Sequence, residues 1–483
     1  MAVTIRAHYE HAEIGGESAA FLSLNRNKRG IALDFTNPAA LEVARELIAK
    51  ADVVVENFSG GVMKKFGLDY ASVAPTNPRL VYCSISAYGR KGEFALRPGF
   101  DPITQAESGF MSLNGFPDGE PVRTGPPIVD MATGMSACNA ILLALLARDR
   151  LGRGQHVEVA LIDIAVAMTG FYGMAYLISG ENPGRFGNSP NGSPTVGVYQ
   201  ASDGPLYMAC ANDRLYRRLV TEVLERPDLV TDPDFAHRKT RTANKEKLRA
   251  IIAGVFASDR LENWMAKMKK ANIPVGYLRT VEEGFNAPEV RDRHRLSRIP
   301  HPTAGSVPNI ETPLNMSLTP TVDPVAAPLL GQHTRDVLRK TLGYDDRRIA
   351  DADRGGAFRQ DRRARSDDQV PPLAGNGPRS NRDVITASGP VSGHPGEIAA
   401  TAGERRRGGQ MRAVSAVQFG LLRRLFLGIL STSSGSARSI SRRAIRSIKV
   451  AVVRPRRSAS CAAVSTFWAR PSRLPGYAIP VPH

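Results

Sequence analysis

The chain has 483 residues and a formal net charge of +18, but that charge is unevenly distributed. Residues 359–483 hold 22 Lys and Arg against 6 Asp and Glu, whereas residues 1–358 hold 42 against 40. The body of the chain is nearly neutral, which disfavours nucleic acid as its partner, because nucleic-acid-binding domains carry a basic face. The four cysteines are far apart, so neither a disulfide framework nor a metal site is indicated, and the expected setting is a reducing cytoplasm.

The N-terminus and the apolar runs argue against a secreted or membrane-spanning protein. Residues 1–8 lack the apolar core of a signal peptide. No uncharged run reaches the roughly 18 residues that a bilayer span requires. The most apolar stretch of the C-terminal part, residues 419–430, is interrupted by Arg423 and Arg424. No membrane partner is therefore expected.

Strand and helix patterns alternate through the first third of the chain. Apolar or alternating runs at 31–35, 51–58 and 80–86 predict strands, and the segments between them predict helices. This order predicts the α/β class, with a parallel sheet covered by helices. Ligands of such sheets bind beyond the carboxyl ends of the strands, where Asn57 and Phe58 lie. The following Gly60-Gly61 pair either admits a phosphate group to a helix N-terminus or serves only the turn.

Residues 125–134 are the centre of the sequence argument. A short extended run ends at Asp130, and an apolar helix continues to about Leu146. An aspartate at such a junction is either a helix cap or a nucleophile. Neither a dinucleotide-binding glycine fingerprint nor a Walker loop is present, so neither NAD nor ATP is indicated.

The remaining chain divides by composition. Residues 168–200 are rich in Gly, Pro, Ser and Asn, and Gly187, Asn188 and Gly192 belong either to a mobile lid or to a linker. Two strands and three helices then predict a smaller α+β domain. The expected organisation is a large catalytic domain at 1–195, a small domain at 196–290, a linker and return at 291–358, and a disordered basic extension at 359–483.

Several stretches, in this order, resemble the family III CoA-transferases, which include formyl-CoA transferase and carnitine CoA-transferase. The resemblance covers about residues 18–358. Its motifs are Phe21 to Asp34, Ala51 to Phe58, Asn77 to Val81, Pro98 to Asp101, Gln105-Ala106, Gly125 to Gly134, Gly152 to Val157 and Ala327 to Thr334.

The resemblance implies a Rossmann-like large domain, a smaller α+β domain and an interlocked homodimer. It implies acyl-CoA and a small carboxylic acid as substrates, with no permanently bound cofactor and no metal. Asp130 matches the family's nucleophile and Asn57 its active-site asparagine. Phe58 and Lys65 match residues that contact CoA.

The chain departs from the family pattern at Phe100-Asp101, where formyl-CoA transferase has a Tyr-Glu pair. The missing hydroxyl puts strict formyl or oxalate specificity in doubt. The racemase branch has a histidine at the position of Phe100, so an α-methylacyl-CoA racemase is disfavoured. Asp101 is either a substrate contact or a cap of the helix that follows it.

The expected reaction moves CoA from an acyl-CoA to a carboxylate, through an aspartyl anhydride and an aspartyl-CoA thioester on Asp130. Backbone N–H groups at the start of its helix are candidates for stabilising the oxyanions. CoA also carries phosphates. The candidate partners are Lys28, Arg29, Lys64, Lys65, Arg90, Lys91 and Arg97.

Two features at the ends of the chain leave other functions open. Family members carry roughly 40 more residues before Phe21, a segment expected to form the first strand and helix. Without it, the chain is either an active transferase or an inactive, CoA-binding remnant. The Arg-rich extension allows nucleic-acid binding, but its composition favours a segment without a selected role. The sequence does not identify the acyl donor or the acceptor acid.

Overall fold

A computed structural model describes residues 12–358 and 464–467. Its main sheet has the order β11-β3-β4-β5. Strands β3 (Val53–Glu56), β4 (Val81–Ser86) and β5 (His156–Ala160) are parallel, as the alternating pattern predicted. Strand β11 (Val464–Phe467) pairs antiparallel with β3 at the edge. The rest of the basic extension lies outside the described residues, so its predicted disorder stays a prediction.

Helices cover both faces of this sheet. Helix α2 (Pro38–Ala49) begins with a proline in its first turn, and the Asn37 side chain accepts the Ala39 N–H at 2.9 Å. Its apolar face packs in one core with Val54, Leu80 and Tyr82. Helix α6 (Ile128–Leu151) packs Ala137 and Ala144 against the other face of the sheet. Successive side chains along a strand point to opposite faces of the sheet, so the same strands contribute residues to both cores.

The predicted strand at residues 31–35 is an extended segment instead. Ile31, Leu33 and Phe35 are buried, as their alternation suggested. The backbone N–H of Ala32 donates to Thr334 Oγ1 at 3.4 Å, and that of Asp34 donates to the Ala357 carbonyl at 3.2 Å. The segment takes these bonds from the returning C-terminal part of the domain, so it does not join the sheet.

Residues 196–277 have a core of their own. Strands β6 (Val196–Gln200), β7 (Pro205–Ala209) and β8 (Val275–Tyr277) form an antiparallel sheet in the order β6-β7-β8. Helices that precede β8 in the chain pack on it around Met208, Phe256 and Trp264. They are α9 (Asp213–Arg218), α10 (Asp228–Thr231), α11 (Arg238–Ala243), α12 (Lys245–Phe256) and α13 (Leu261–Lys270), with a π-helical segment at Leu219–Val223 after α9.

The remaining elements are short. A β-hairpin of β9 (Leu296–His301) and β10 (Gly305–Ile310) lies in the segment predicted as linker. The chain then returns to the first core with Val337, Leu338 and Ile349. The other elements are β1 (Glu13–Ile14), β2 (Glu17–Ser18), α1 (Ala19–Asn25), α3 (Val62–Lys65), α4 (Tyr70–Val73), α5 (Asp101–Glu107), α7 (Leu161–Met168), α8 (Gly170–Ser179), α14 (Val281–Phe285), α15 (Pro288–Arg291), α16 (Thr334–Val337) and α17 (Asp346–Arg354), with 3-10 turns at Glu93–Leu96, Met111–Leu113 and Pro190–Gly192 and a π-helical segment at Leu338–Leu342.

Helix α6 corrects the expectation that no segment is apolar enough to span a bilayer. Its 24 residues meet the length and composition of such a span, and so does the bent pair α7–α8 taken together. In this structure α6 packs on the sheet. Its Arg148, which is buried, pairs with Asp52 at 2.9 Å. Composition alone does not distinguish a bilayer span from such a core helix.

Candidate active site

Asn57 and the start of the helix that carries Asp130 both contact Ile85, near the carboxyl end of β4. The Asn57 side-chain amide donates to the Ile85 carbonyl at 3.2 Å. The Ile85 side chain packs against Val129 and Leu161, which lie at the starts of α6 and α7. The carboxyl ends of the parallel strands thus bring Asn57 and the helix of Asp130 to one edge of the sheet, where α/β proteins bind ligands.

Asp130 lies in the first turn of α6 and is not its cap. The helix begins at Ile128, with Pro127 at the N-cap position and without a side-chain cap from that residue. Asp130 is therefore the third helical residue. The short extended run predicted before it is irregular backbone with a bend at residues 125–126. The Asp130 side chain is exposed at the helix end, where a substrate can reach it.

The carboxylate that satisfies this helix end belongs to Asp101. Asp101 is 5% exposed, and its Oδ2 accepts the N–H of Val129 at 2.7 Å and that of Asp130 at 3.0 Å. The sequence allowed Asp101 to be a cap of its own helix α5. The structure shows that it caps α6 instead, because the two helices pack together.

The environment of Asp130 changes its acidity. Asp130 is accessible, but the surrounding protein still removes part of the water around its carboxyl group, and the neighbouring negative charge of Asp101 adds to that effect. Together they raise the pKa of Asp130 to about 6. Both causes act in the same direction because each disfavours the charged form of Asp130. An aspartate with a raised pKa in an accessible position is typical of a functional site.

The expectation that N–H groups at the start of α6 stabilise oxyanions is wrong for this structure. The N–H of Ile128 donates to the Pro126 carbonyl at 2.8 Å, and that of Met131 to the Pro127 carbonyl at 3.0 Å. The two N–H groups between them donate to Asp101. The backbone N–H groups of the first turn already have acceptors, so an oxyanion needs another hydrogen-bond donor.

Phe58 is a core residue rather than an exposed contact for CoA. Its ring is 4% exposed and lies 6.4 Å from that of Phe35. Its backbone is engaged as well, because its N–H donates to Glu56 Oε2 at 2.9 Å and its carbonyl accepts from Arg90 at 3.0 Å. The predicted contact between the Phe58 ring and CoA is therefore not available in this structure.

Arg90, a candidate phosphate partner, is committed to the fold. Its guanidinium pairs with Glu56 Oε1 at 2.8 Å and donates to the Ile85 carbonyl at 3.2 Å. Glu56 is 2% exposed, so removing its cation would leave a buried charge. The pair holds the carboxyl ends of β3 and β4 together, and Asn57 directly follows β3.

The Gly60-Gly61 pair has a packing reason, which favours the alternative that it serves the turn. A Cβ at Gly60 would lie 2.8 Å from the Ala95 carbonyl oxygen, and Gly61 has φ of 81°. The helix that follows, Val62–Lys65, has only four residues, too few for a strong dipole. Lys65 is exposed there, and its Nζ lies 5.9 Å from the centre of the Phe66 ring.

Arg97 and Phe100 lie in the segment before α5. Arg97 forms an ion pair with Glu107, and its guanidinium lies 4.8 Å from the centre of the Tyr88 ring. Arg97 therefore already has an anionic partner, with which a CoA phosphate would have to compete. Phe100 is 65% exposed and immediately precedes Asp101, so its ring is available to a substrate.

The other candidate phosphate partners differ in their freedom. Arg29 pairs with Asp336 and so serves the contact with the returning segment. Lys28 is half-buried, and its Nζ donates to Asn25 Oδ1 at 3.2 Å. Burial lowers the pKa of Lys28. Lys64 and Lys91 are exposed and remain candidates.

The segment predicted as a lid or a linker is held at several points. The Gly187 N–H donates to the Gly115 carbonyl at 3.1 Å, and the Asn188 carbonyl accepts from the Tyr207 hydroxyl at 3.1 Å. Gly187 lies so close to the Phe116 ring that a Cβ would meet it at 2.6 Å. The Gly192 N–H donates to the Ser189 carbonyl at 3.2 Å. These contacts favour the linker alternative.

Sequence reasoning missed Glu56 and Gln105 as parts of this site. Glu56 resembles an ordinary polar residue at a strand end. Gln105 belongs to one of the family motifs, but the motif does not show that its side chain joins Asp101 to Thr124. No local signal separates such residues from surface ones, because their partners lie in other elements. Among the described residues, no group of three or more His, Cys, Asp or Glu side chains forms a candidate metal site.

Comparison with known proteins identifies the family. The model of "CoA-transferase family III" matches residues 4–334. The chain therefore belongs to the family III CoA-transferases, as its motifs predicted.

Similar proteins of stated activity are CoA-transferases. The succinate–glutarate CoA-transferase of Agrobacterium fabrum is 37% identical over 331 residues, which cover 68% of this chain and 82% of that protein. The acetyl-CoA:oxalate CoA-transferase of Acetobacter aceti is 36% identical, over 59% of this chain and 73% of that protein. The crystal structure of a CaiB/BaiF family protein from Brucella suis has 34% identity and a TM-score of 0.62, over 69% of this chain and 87% of that one.

Proposed function

We propose that the chain is an acyl-CoA:carboxylate CoA-transferase in which Asp130 is the nucleophile. The observation that carries the proposal is the position of Asp130, exposed in the first turn of α6 and beside Asp101 at the carboxyl edge of the parallel sheet. Family membership supports the reaction class. A carboxylate fits this chemistry because its acyl anhydride is reactive enough to be opened by a thiolate.

The first half of the reaction transfers CoA to the enzyme. An Asp130 carboxylate oxygen attacks the thioester carbonyl carbon, the carbon–sulfur bond breaks and the CoA thiolate leaves. A mixed anhydride between Asp130 and the donor acyl group remains. The thiolate then attacks the aspartyl carbonyl, which releases the donor as a carboxylate and leaves an aspartyl-CoA thioester.

The second half repeats these steps with the acceptor. The acceptor carboxylate attacks the aspartyl carbonyl and displaces the CoA thiolate, which forms a second anhydride. The thiolate attacks the acceptor's carbonyl in that anhydride, and the new acyl-CoA and a free Asp130 carboxylate result. No atom is gained or lost, and water must be excluded, because it would hydrolyse each intermediate.

Asn57 is the donor that we propose for the developing oxyanions. Its amide has two N–H groups, and the structure pairs one with the Ile85 carbonyl. That bond orients the amide at the sheet edge. The direction of its other N–H is therefore set by a fixed group rather than by a mobile loop. A pre-oriented donor contributes more to a transition state than a flexible one.

We propose a short dicarboxylate as one of the two acids. The named activities of the similar proteins use succinate, glutarate and oxalate. Exposed Lys64, Lys65 and Lys91 are the candidates for the CoA phosphates, since Arg29, Arg90 and Arg97 already have carboxylate partners. A cytoplasmic location is part of the same proposal and agrees with the free thiols of Cys83, Cys138 and Cys210.

We also propose that two copies of this chain form a homodimer. In the single chain, helices α6 and α8 expose large apolar side chains on their outer surfaces. They include Met131, Met135, Leu142, Leu143, Leu146, Leu177 and Ile178. An apolar surface of this kind is seldom left in water, and the resemblance to interlocked dimers supports a second copy as its cover.

The test of the nucleophile is intact-protein mass spectrometry after incubation with succinyl-CoA, acetyl-CoA or glutaryl-CoA, each with a dicarboxylate acceptor. We expect a covalent CoA or acyl adduct that maps to Asp130, and CoA exchange between the acids. Asp130→Asn should lose both the adduct and at least about 10³-fold of the exchange rate, because the reaction has no second nucleophile.

The matched control is Asp149→Asn. Asp149 lies on the same helix, is exposed and is 3.7 Å from Arg79, far along the chain from the first turn. This variant should keep both the adduct and the rate. An adduct on another residue, or exchange that survives in Asp130→Asn, would contradict the proposed mechanism.

A further inference from the structure

Asp101 belongs to α5 in sequence, but its carboxylate serves α6. Oxygen Oδ2 accepts two consecutive N–H groups, from Val129 and Asp130, at 2.7 Å and 3.0 Å. Oxygen Oδ1 accepts from the side-chain amide of Gln105, one turn further along α5. Each oxygen is therefore occupied by protein donors, which leaves Asp101 no natural role as a substrate contact.

Gln105 extends this connection into the loop before α6. Its Oε1 accepts the Thr124 N–H at 3.1 Å, and its Nε2 donates to Thr124 Oγ1 at 3.1 Å. The Thr124 hydroxyl donates to the Pro126 carbonyl at 2.9 Å. Asp101 and Gln105, both buried, thus hold residues on each side of the turn that delivers Asp130. A buried network with all members satisfied fixes one geometry.

We propose that Asp101 is a positioning residue for Asp130, which holds the first turn of α6 in place and sets a negative charge beside the nucleophile. The inference rests on the proposed role of Asp130. It differs from both alternatives that the sequence left open for Asp101, a substrate contact and a cap of α5. The network through Gln105 and Thr124 is the part that sets the orientation of the turn.

The charge of Asp101 has a direct chemical effect. It stabilises the protonated form of Asp130 relative to the anion, which makes that anion a stronger base and a stronger nucleophile. Other charged groups lie on the neighbouring elements: Glu107 on α5, Asp163 on α7 and Arg123 in the preceding loop. Glu107 is paired with Arg97, and Asp101 is the charged neighbour that adds to the effect of burial in raising the pKa of Asp130.

The test is Asp101→Asn, which keeps the size of the side chain and removes its charge. We expect kcat to fall by about 10- to 100-fold with little change in KM, because the turn is less well held. We also expect the acid limb of the pH–rate profile to move to lower pH, since burial then raises the pKa of Asp130 without the added effect of the Asp101 charge. Asp163→Asn, which removes a carboxylate from α7, should change neither.

A second readout does not depend on turnover. A water-soluble carbodiimide modifies protonated carboxyl groups, so the pH dependence of labelling at Asp130, mapped by mass spectrometry, reports its pKa. The labelling midpoint should fall in Asp101→Asn. If no acyl-CoA reacts with the wild-type protein, the proposed function fails, while the labelling midpoint still tests the pairing of Asp101 with Asp130.

Two results would overturn the inference: an unchanged midpoint with unchanged kcat, or a loss confined to KM, as a substrate contact gives. If Asp101→Asn does not fold by circular dichroism, Gln105→Leu takes its place. That variant keeps the Asp101 charge but cuts the link to Thr124. It should lower kcat and leave the acid limb unmoved, and unchanged kcat would refute the positioning role.

Discussion

At the scale of single residues, the site differs from its sequence description mainly in which groups are free. The motif predicted Asp130 and Asn57 as chemical groups, and both are exposed at one edge of the sheet. Phe58 belongs to the same motif as Asn57, and Arg90 was a candidate for the CoA phosphates, but both have internal partners. Motif matching cannot separate these cases, because a side chain that contacts substrate and one that supports it are fixed by the same fold.

The pH dependence of the reaction is a prediction at this scale. The anion of Asp130 attacks, and its pKa is raised to about 6 by burial and by Asp101. The rate therefore falls as the pH falls through 6, and it is restored above that value. We expect kcat/KM to lose about tenfold per pH unit below 6, where an ordinary aspartate would keep its activity down to about pH 4.

The measurement is kcat/KM between pH 4.5 and 8. Tryptophan fluorescence over the same range serves as the control, because acid unfolding would also abolish activity. A folded protein whose rate is constant down to pH 5 would show that Asp130 is already ionised there, contrary to the geometry.

At the scale of elements, the turn between α6 and β5 gives the physical reason for the motif Gly152 to Val157, which the sequence identified only by resemblance. Gly152 has φ of 72° and ends the helix, as glycines in a left-handed conformation do. Gly154 has a different constraint. A Cβ there would lie 2.0 Å from the Leu80 carbonyl oxygen, and its N–H donates to the Pro78 carbonyl at 2.9 Å.

The two glycines should therefore tolerate alanine unequally. Gly152→Ala introduces only backbone strain, which costs about 1 kcal/mol. Gly154→Ala forces backbone atoms of adjacent segments apart at the entry to β5, and we expect a loss of at least about 3 kcal/mol. Urea unfolding followed by circular dichroism measures both. Equal losses would show that the close approach of Gly154 to Leu80 does not constrain the turn.

At the scale of the whole molecule, the exposed apolar face of α6 is the feature that a single chain does not explain. One side of α6 packs on the sheet through Ala137 and Ala144. The outer side carries Leu143, which is 67% exposed, together with the exposed Leu142 and Leu146. Small residues inside and large residues outside reverse the usual order of a surface helix, as expected when a second copy covers the outer side.

Leu143→Glu should convert the proposed homodimer into a monomer, because a charge cannot be buried without a partner. Analytical ultracentrifugation measures the change. Val281→Glu is the control, since Val281 is also strongly exposed but lies at the start of α14. A wild-type monomer, or a dimer that survives in Leu143→Glu, would contradict this arrangement.

The sequence by itself determined the family and the parallel α/β class, and it predicted Asp130 as the nucleophile, because short motifs and hydrophobic periodicity are local properties of the chain. Only the tertiary structure decided which polar groups are available. Asp101 caps a helix 27 residues further along, Arg90 pairs with Glu56, and the segment at 31–35 bonds to residues more than 300 positions away. Such pairings depend on how the elements pack, and no local pattern encodes the partner that each buried polar group finds.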